Sequence, residues 1–361
     1  MANLQDFVVS RSDLRRTGFV PAAHAPDTVL EPGDILVRVT RFAFTANNIT
    51  YGAVGEMIGY WTFFPAPEGW GRMPVWGFAD VVRSQHGSIP VGERLYGYFP
   101  MSQYLVLRPE RVAAGSFADA SPHRAALPPV YNQYTRVGTA SAADPKREAH
   151  VAVFRPLFAT SFLLDDYLEE NGLFEARAAV LSSASSKTAL GLAFLLSEAK
   201  RCAVIGLTSA SNRAFVERTG YYTSVLTYDE VAKLEAGTPS VFVDFAGNGA
   251  VVRAVHTRLG DALRQSIGVG LTHWERMAPA ADLPGPTPVF FFAPDRVKKR
   301  MADWGGQEFY RRVGEAMDRF LGSAAGWLRI VEGNGPAALE SLYKKMLDGR
   351  IDPAEGHVLT L

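Results

Sequence analysis

Between residues 178 and 213 the spacing of apolar positions changes in a fixed order. Ala178–Leu181 is an unbroken apolar run of strand length, followed by the small-residue stretch Ser182-Ser183-Ala184-Ser185-Ser186 and Lys187. In Thr188–Lys200 apolar residues then recur at helical spacing. Cys202–Leu207 is a second apolar run, and Thr208–Arg213 is small and polar again. The order predicted is strand, tight loop, helix, strand, polar loop, which is a βαβ unit of a nucleotide-binding sheet.

The first 150 residues are patterned differently. Residues 1–30 read as a strand or hairpin, and Leu30-Glu31-Pro32-Gly33-Asp34 is a turn feeding a strand at Ile35–Val39. Phe42–Tyr51 reads as a polar loop leaving that strand. Met73–Val82, Gly87–Tyr98 and Ser102–Leu107 add short strands broken by Gly and Pro. Many short strands with few helices predict a small β-barrel-like domain. Leu127–Tyr134 and the polar stretch Thr139–Arg147 read as a lid or an interface loop. An acidic helix then runs through Glu170 with Asp165 and Asp166 on a solvated face, and Phe291–Asp303 starts another helix with a solvated basic patch at Lys298, Lys299 and Arg300. Trp327–Val331 and Ile351–Leu361 read as terminal strands.

Composition narrows the class. A chain of 361 residues is long enough for two domains, and 47% hydrophobic with 20% charged residues is a globular balance. Lys+Arg and Asp+Glu are equal at 37 each, so charge gives no case for nucleic acid or an anionic membrane as partner. Cys202 stands alone inside an apolar run, which excludes an internal disulfide and a Cys-rich zinc site. No run reaches membrane-spanning length and the first residues show no apolar signal core, so a cytoplasmic protein is expected. The 22 Phe, 13 Tyr and 6 Trp fit an apolar small-molecule cleft as well as a core.

The small-residue loop is where chemistry enters. N–H groups at the start of a helix lack intrahelical partners and lie at the positive end of the dipole, so they hold a pyrophosphate if no bulky side chain intervenes. Ser182 to Ser186 offer hydroxyls in place of glycines, with Ser, Ala and Ser where G-x-G-x-x-G is usual and only Gly191 a glycine, one turn into the helix. Ser183, Ser185 and Ser186 are the candidate cofactor ligands. Lys187 is a further phosphate partner or a solvent-facing cation. After the second strand come Thr208, Ser209, Asn212 and Arg213, with no acid before Glu217. Hydroxyls and a guanidinium suit a 2′-phosphate where a carboxylate would repel it, so the cofactor expected is NADP(H).

Pro32-Gly33-Asp34-Ile35-Leu36-Val37-Arg38-Val39, then Asn48, Gly77 with Asp80-Val81-Val82, and Val91-Gly92-Glu93-Arg94-Leu95-Tyr96-Gly97 resemble, in order, motifs of the medium-chain dehydrogenase/reductase superfamily. So do the serine loop, the run ending in Arg213, Phe242-Val243-Asp244-Phe245-Ala246-Gly247 and Gly268–His273. The resemblance covers nearly the whole chain. It implies an α/β fold: a Rossmann-like doubly wound parallel sheet plus a GroES-like β-barrel catalytic domain. The boundaries implied are a catalytic domain at 1–150, a nucleotide-binding domain at 151–290 and a segment at 291–361 returning to the first domain. Thr160 matches the threonine that opens the cofactor domain, Gly247 falls in the cofactor-binding motif, and homodimers paired through the edge of the cofactor sheet are implied. Zinc-dependent members carry a His-Glu pair where this chain has Trp76-Gly77-Phe78-Ala79, so no zinc is expected and the zinc-independent quinone and enoyl reductases are the branch resembled.

Reduction of a polarised C=C, quinone or carbonyl needs a donor for the developing charge on oxygen and a nearby acid. Tyr51 and Tyr60 are candidates, Tyr60 because it follows Gly59 much as a catalytic Tyr follows Gly in enoyl reductases. Asn48 matches the loop Asn that in relatives lies near the nicotinamide. Tyr131, Asn132 and Tyr134 form a polar-aromatic cluster that could cover a substrate in a cleft between domains, and His273 is structural or cleft-lining. The alternative is a redox-inactive or non-redox member of the fold, a nucleotide-binding sensor or scaffold, or a lyase. The missing glycines favour it; Arg213 and the hydroxyl loop favour the reductase.

Overall fold

The computed structural model describes residues 4–56, 59–269 and 283–361, so the part of Gly268–His273 that includes His273 lies outside the described residues. The chain divides into two units: Met1–Val153 with Ile330–Ile351 and Glu355–Leu361, and Phe154–Arg329 with Asp352–Ala354.

In the first unit β1 (Gln5–Ser10) and β2 (Thr17–Pro21) form an antiparallel hairpin extended by β4 (Trp70–Gly71). A nine-stranded sheet contains β3 (Ile35–Phe44), β5 (Pro74–Ser84), β6 (Glu93–Pro100), β7 (Tyr104–Leu107), β8 (Pro109–Glu110), β9 (Ser116–Asp119) and β10 (Gln133–Thr139), with β17 (Arg329–Asn334) and β18 (Glu355–Thr360) from the C-terminal part. β3 pairs with β5, β7 and β18, all antiparallel. The segment 42–51 is not the polar loop its Asn and Thr residues suggest. β3 runs on to Phe44, and α1 (Ala46–Ala53) follows because the Thr45 N–H donates to Asn48 Oδ1 at 2.8 Å, forming a capping box.

The stretch 127–150 is likewise neither lid nor loop. Tyr134, fully buried, faces Phe117 across β9, and Thr135 faces Tyr96 on β6. Thereafter Asp144 Oδ1 accepts from the Lys146 and Arg147 N–H groups and opens α2 (Pro145–Glu170), which crosses the unit boundary in sequence. Glu148, in its first turn, binds the buried Arg94, which also meets Asp80. The polar residues of this segment are thus spent on ion pairs and caps.

The second unit holds β11 (Ala178–Leu181), α3 (Lys187–Ala199), β12 (Ala203–Thr208), α4 (Arg213–Thr219), β13 (Ser224–Thr227), β14 (Ser240–Asp244), α5 (Gly249–Leu259), β15 (Leu263–Gly268) and β16 (Val289–Phe290). All six strands are parallel, in the order β13-β12-β11-β14-β15-β16. β11 is apolar and buried throughout, and β14 is apolar at its three central positions between the buried Ser240 and Asp244, as buried parallel strands are. Strand order reverses between β11 and β14, where such sheets bind ligands at the carboxyl ends.

This unit extends beyond 290. α6 (Ala293–Trp304) and α7 (Gly306–Ala324) belong to it because Phe320 is fully buried against Phe154, Phe158 and Phe194, with ring centroids 5.0–5.5 Å apart. The chain returns to the first unit at Ile330, with β17, α8 (Gly335–Leu347) and β18. The acidic face expected to be solvated is not, and of the basic patch Lys298 and Lys299 are exposed as expected while Arg300 is not. Asp166 binds Arg296 and Arg300 at 2.7 Å, Arg300 being buried, and Asp165 is buried beside Arg201.

Candidate active site

The serine loop lies at the switch point. Ser182, fully buried, donates its hydroxyl to Asp244 Oδ1 and accepts from the Phe245 N–H at 2.9 Å, which ties the ends of β11 and β14 together. Asp244 Oδ2 accepts from the N–H of Gly247, whose φ of +70° favours glycine. Ser183 turns the chain with φ +47°, and its N–H donates to the Tyr228 hydroxyl at 3.2 Å. The next residue is pinned to β12: the Ala184 N–H donates to Leu207 O, and Ala184 O accepts from the Tyr222 hydroxyl at 2.8 Å. A Cβ on Gly206 would fall 2.9 Å from both Ala184 Cβ and the Tyr222 ring, so this approach requires glycine.

Ser186 is the N-cap of α3, its hydroxyl accepting from the Ala189 N–H at 3.3 Å; Lys187 is the first helical residue. Ser185 Oγ accepts from Asn212 Nδ2 at 3.0 Å, so the first loop and the loop after β12 meet. Ser209 Oγ lies 2.9 Å from Ser211 Oγ, and Thr208 is buried at the end of β12. Arg213 is half-exposed and held by Glu217 (2.9 Å) and Glu230 (3.0 Å). Lys233 and the Thr227 N–H hold the Glu230 carboxyl down to about 2, so it is ionised at neutral pH. Thr160 is turned back onto Pro156 O at 3.3 Å. Its neighbour Ser161 is the residue that touches the site helix, with its hydroxyl 2.7 Å from Thr188 O.

The first unit brings Tyr51, Tyr60 and Tyr131 together, and adds Tyr98. All four are buried. The Tyr60 and Tyr131 hydroxyls are 2.6 Å apart; ring centroids are 4.6 Å apart for Tyr51 and Tyr60, and 5.0 Å for Tyr98 and Tyr131. Trp76 lies against Tyr98 at 4.9 Å. Burial raises all four phenols above their ordinary value, so they stay protonated as neutral donors across the physiological range.

Asn48 stands one turn before Tyr51 but is committed to structure, its Oδ1 to Thr45 and its Nδ2 to Pro74 O at 2.9 Å. Asn132 and Tyr134 also lie elsewhere. They surround Arg124, which is 1% exposed and binds Asn132 Oδ1 (2.9 Å), Asp119 Oδ2 (2.8 Å), the Tyr134 hydroxyl (3.0 Å) and Tyr131 O (2.7 Å). Burial lifts the Tyr134 hydroxyl to about 12. This network fixes Tyr131 from behind. Among the described residues no three His, Cys, Asp or Glu side chains group to hold a metal ion.

Residues 42–352 match the family model described as "Protein of unknown function (DUF2855)". No curated protein matches the sequence. Among solved structures, CurA from Vibrio vulnificus in complex with NADPH is 15% identical, covers 99% of this chain and 98% of its own, and superposes with a TM-score of 0.66. The yhdH oxidoreductase from Salmonella enterica in complex with NADP is 14% identical over 99% and 100% of the two chains, TM-score 0.55. A mutant enoyl thioester reductase from Candida tropicalis is 11% identical over the full length of both, TM-score 0.56. The chain therefore has the medium-chain dehydrogenase/reductase fold that its collinear motifs implied.

Proposed function

The chain belongs to the DUF2855 family of proteins of unknown function, and for it we propose a zinc-free NADP(H)-dependent reductase of an activated C=C, quinone or carbonyl. The observation that carries this reading is the serine loop at the switch point, where Tyr228 already places an oxygen against the Ser183 N–H as an anion oxygen would lie. Solved proteins of this fold bound to NADPH or NADP support the same cofactor here. First-turn N–H groups of α3 and the hydroxyls of Ser183, Ser185 and Ser186 would hold the pyrophosphate, with Thr208, Ser209, Asn212 and Gly247 around the rest of the dinucleotide and Thr160 and Lys187 beside it. Arg213 would serve the 2′-phosphate by exchanging a carboxylate for it. NADPH supplies the hydride when bound.

The Tyr60–Tyr131 pair would then stabilise the charge that develops on the substrate oxygen: Tyr60 donates a hydrogen bond to that oxygen, Tyr131 donates to the Tyr60 oxygen and so strengthens Tyr60 as a donor, and Tyr51 packs beside both. Asn48 acts by positioning Tyr51, and Asn132 and Tyr134 by positioning Tyr131. A homodimer would pair through the sheet edge at β16, where Phe290 is 62% exposed and stacks on Phe292. Cytoplasmic location is part of this proposal; no helix of the described residues is long and apolar enough to cross a membrane.

NADPH consumption with a panel of enones, quinones and aldehydes tests the reading. Turnover with at least one substrate class, lowered roughly 100-fold in Tyr60→Phe, is expected. The capture of Arg213 by two glutamates favours a second reading, a nucleotide-binding protein without redox turnover, which binding with no consumption across the panel would select.

A further inference from the structure

We propose that the first unit holds a second small-molecule site, which takes an uncharged, ring-sized molecule bearing a hydroxyl group, such as a phenol. This inference does not depend on the reductase reading. The site is a cavity of about 180 Å³ behind Phe63, on whose ring Tyr60 stacks from the tyrosine cluster. That is room for one ring, since an apolar cavity of about 150 Å³ accepts benzene. Phe63, Phe64, Pro100 and Leu105 give it apolar walls.

Its polar groups define the rest of the ligand. Asp6 lines the cavity and is 1% exposed; its Oδ2 accepts from the Ala23 N–H and Arg72 Nε, both at 2.9 Å. Asp6 Oδ1 is buried and has no hydrogen-bond partner among the described residues. A buried carboxylate oxygen left so calls for a donor. The charges of the walls already cancel, Arg72 against Asp6 and Arg124 against Asp119. Burial lowers both His24 and His123 below the usual imidazole value, so they add no charge at neutral pH. A bound ion would therefore be left uncompensated, whereas a neutral hydroxyl can donate to Asp6 Oδ1 in a charge-assisted bond. His123 Nε2 is 3.2 Å from Phe63 O and so donates there, which leaves Nδ1 as a second acceptor.

The test follows the His24 and His123 ring resonances by NMR in the full-length protein, assigned with His24→Gln and His123→Gln, during titration with phenol, anisole, benzoate and benzylammonium. Phenol is expected to shift them saturably, with anisole and both ions at least ten-fold weaker. Ala23→Leu, at an exposed position lining the cavity, should weaken phenol at least ten-fold, and Leu105→Phe, at another lining position, makes the same test should the first variant not fold. Equal binding of anisole, binding unchanged in folded cavity-filling variants, or no shift up to the solubility of phenol would each overturn the proposal.

Discussion

Gly191→Ala is the most informative single change in the nucleotide-binding unit. It adds one methyl where α3 crosses α2, and that Cβ would lie 2.5 Å from Ser161 Oγ, 2.9 Å from Ser161 Cβ and 3.1 Å from Phe158 Cδ2. Neither neighbour can retreat: both are fully buried, and the Ser161 hydroxyl lies 3.1 Å from Leu157 O and 2.7 Å from Thr188 O. Helix propensity works in the other direction, favouring alanine by about 1 kcal/mol. Overpacking costs about 1–3 kcal/mol, and leaving the Thr188 carbonyl without its donor costs about 1–3 kcal/mol more. Taking about 2 kcal/mol for each loss and subtracting the propensity gain leaves a net destabilisation of about 3 kcal/mol. Urea unfolding followed by circular dichroism measures it, with the slope left free because the chain has two units. Ser161→Ala removes the nearest atom, so the double variant should recover at least about 0.5 kcal/mol relative to additivity. A Gly191→Ala protein as stable as its parent would refute the argument.

Three further outcomes are expected. Tyr60→Phe removes one hydroxyl of the phenolic pair and should lower kcat/KM roughly 100-fold, the order found for one oxyanion donor, while NADPH affinity measured by fluorescence is unchanged. Arg213→Ala should weaken NADPH at least ten-fold and leave NADH alone, and Glu230→Gln, which releases one arm of Arg213, should tighten NADPH; calorimetric titration reads both. Asp165 is held at about 6 by burial, against 3.8 for the free side chain. The folded protein thus keeps a proton there that the unfolded chain releases, so stability falls as pH rises from about 4 to 6 and stays lower above it. Asp165→Asn should therefore raise Tm at pH 7.5, by roughly 1–2 kcal/mol of stability after the lost attraction of Arg201, and give no gain at pH 4.

The βαβ unit around the serine loop was legible because its signals are local: two apolar runs, a small-residue loop and one helical repeat lie within 36 residues. The loop-to-loop contact of Ser185 with Asn212 followed from that topology. What sequence missed depends on partners far along the chain. Tyr60 and Tyr131 are 71 residues apart, and Tyr98 reads only as one aromatic in a buried strand. No motif singles out Arg124, and only the fold gathers Asp119, Asn132 and Tyr134 around it. For the same reason the 127–150 segment read as a loop: its polar residues are paired with Glu93 and Arg94 on another strand. Arg213 carries the chemistry of a phosphate ligand, and nothing local shows that Glu230 holds it.

The central claim is that a hydroxyl-lined turn at the switch point grips a dinucleotide, and a crystal structure of the protein grown with NADPH tests it most directly. The account predicts pyrophosphate oxygens against the first turn of α3 and the Ser183 N–H, with the Tyr228 hydroxyl displaced from that N–H. Tyr228 still seated on Ser183, with the dinucleotide bound elsewhere or absent at millimolar NADPH, would contradict it.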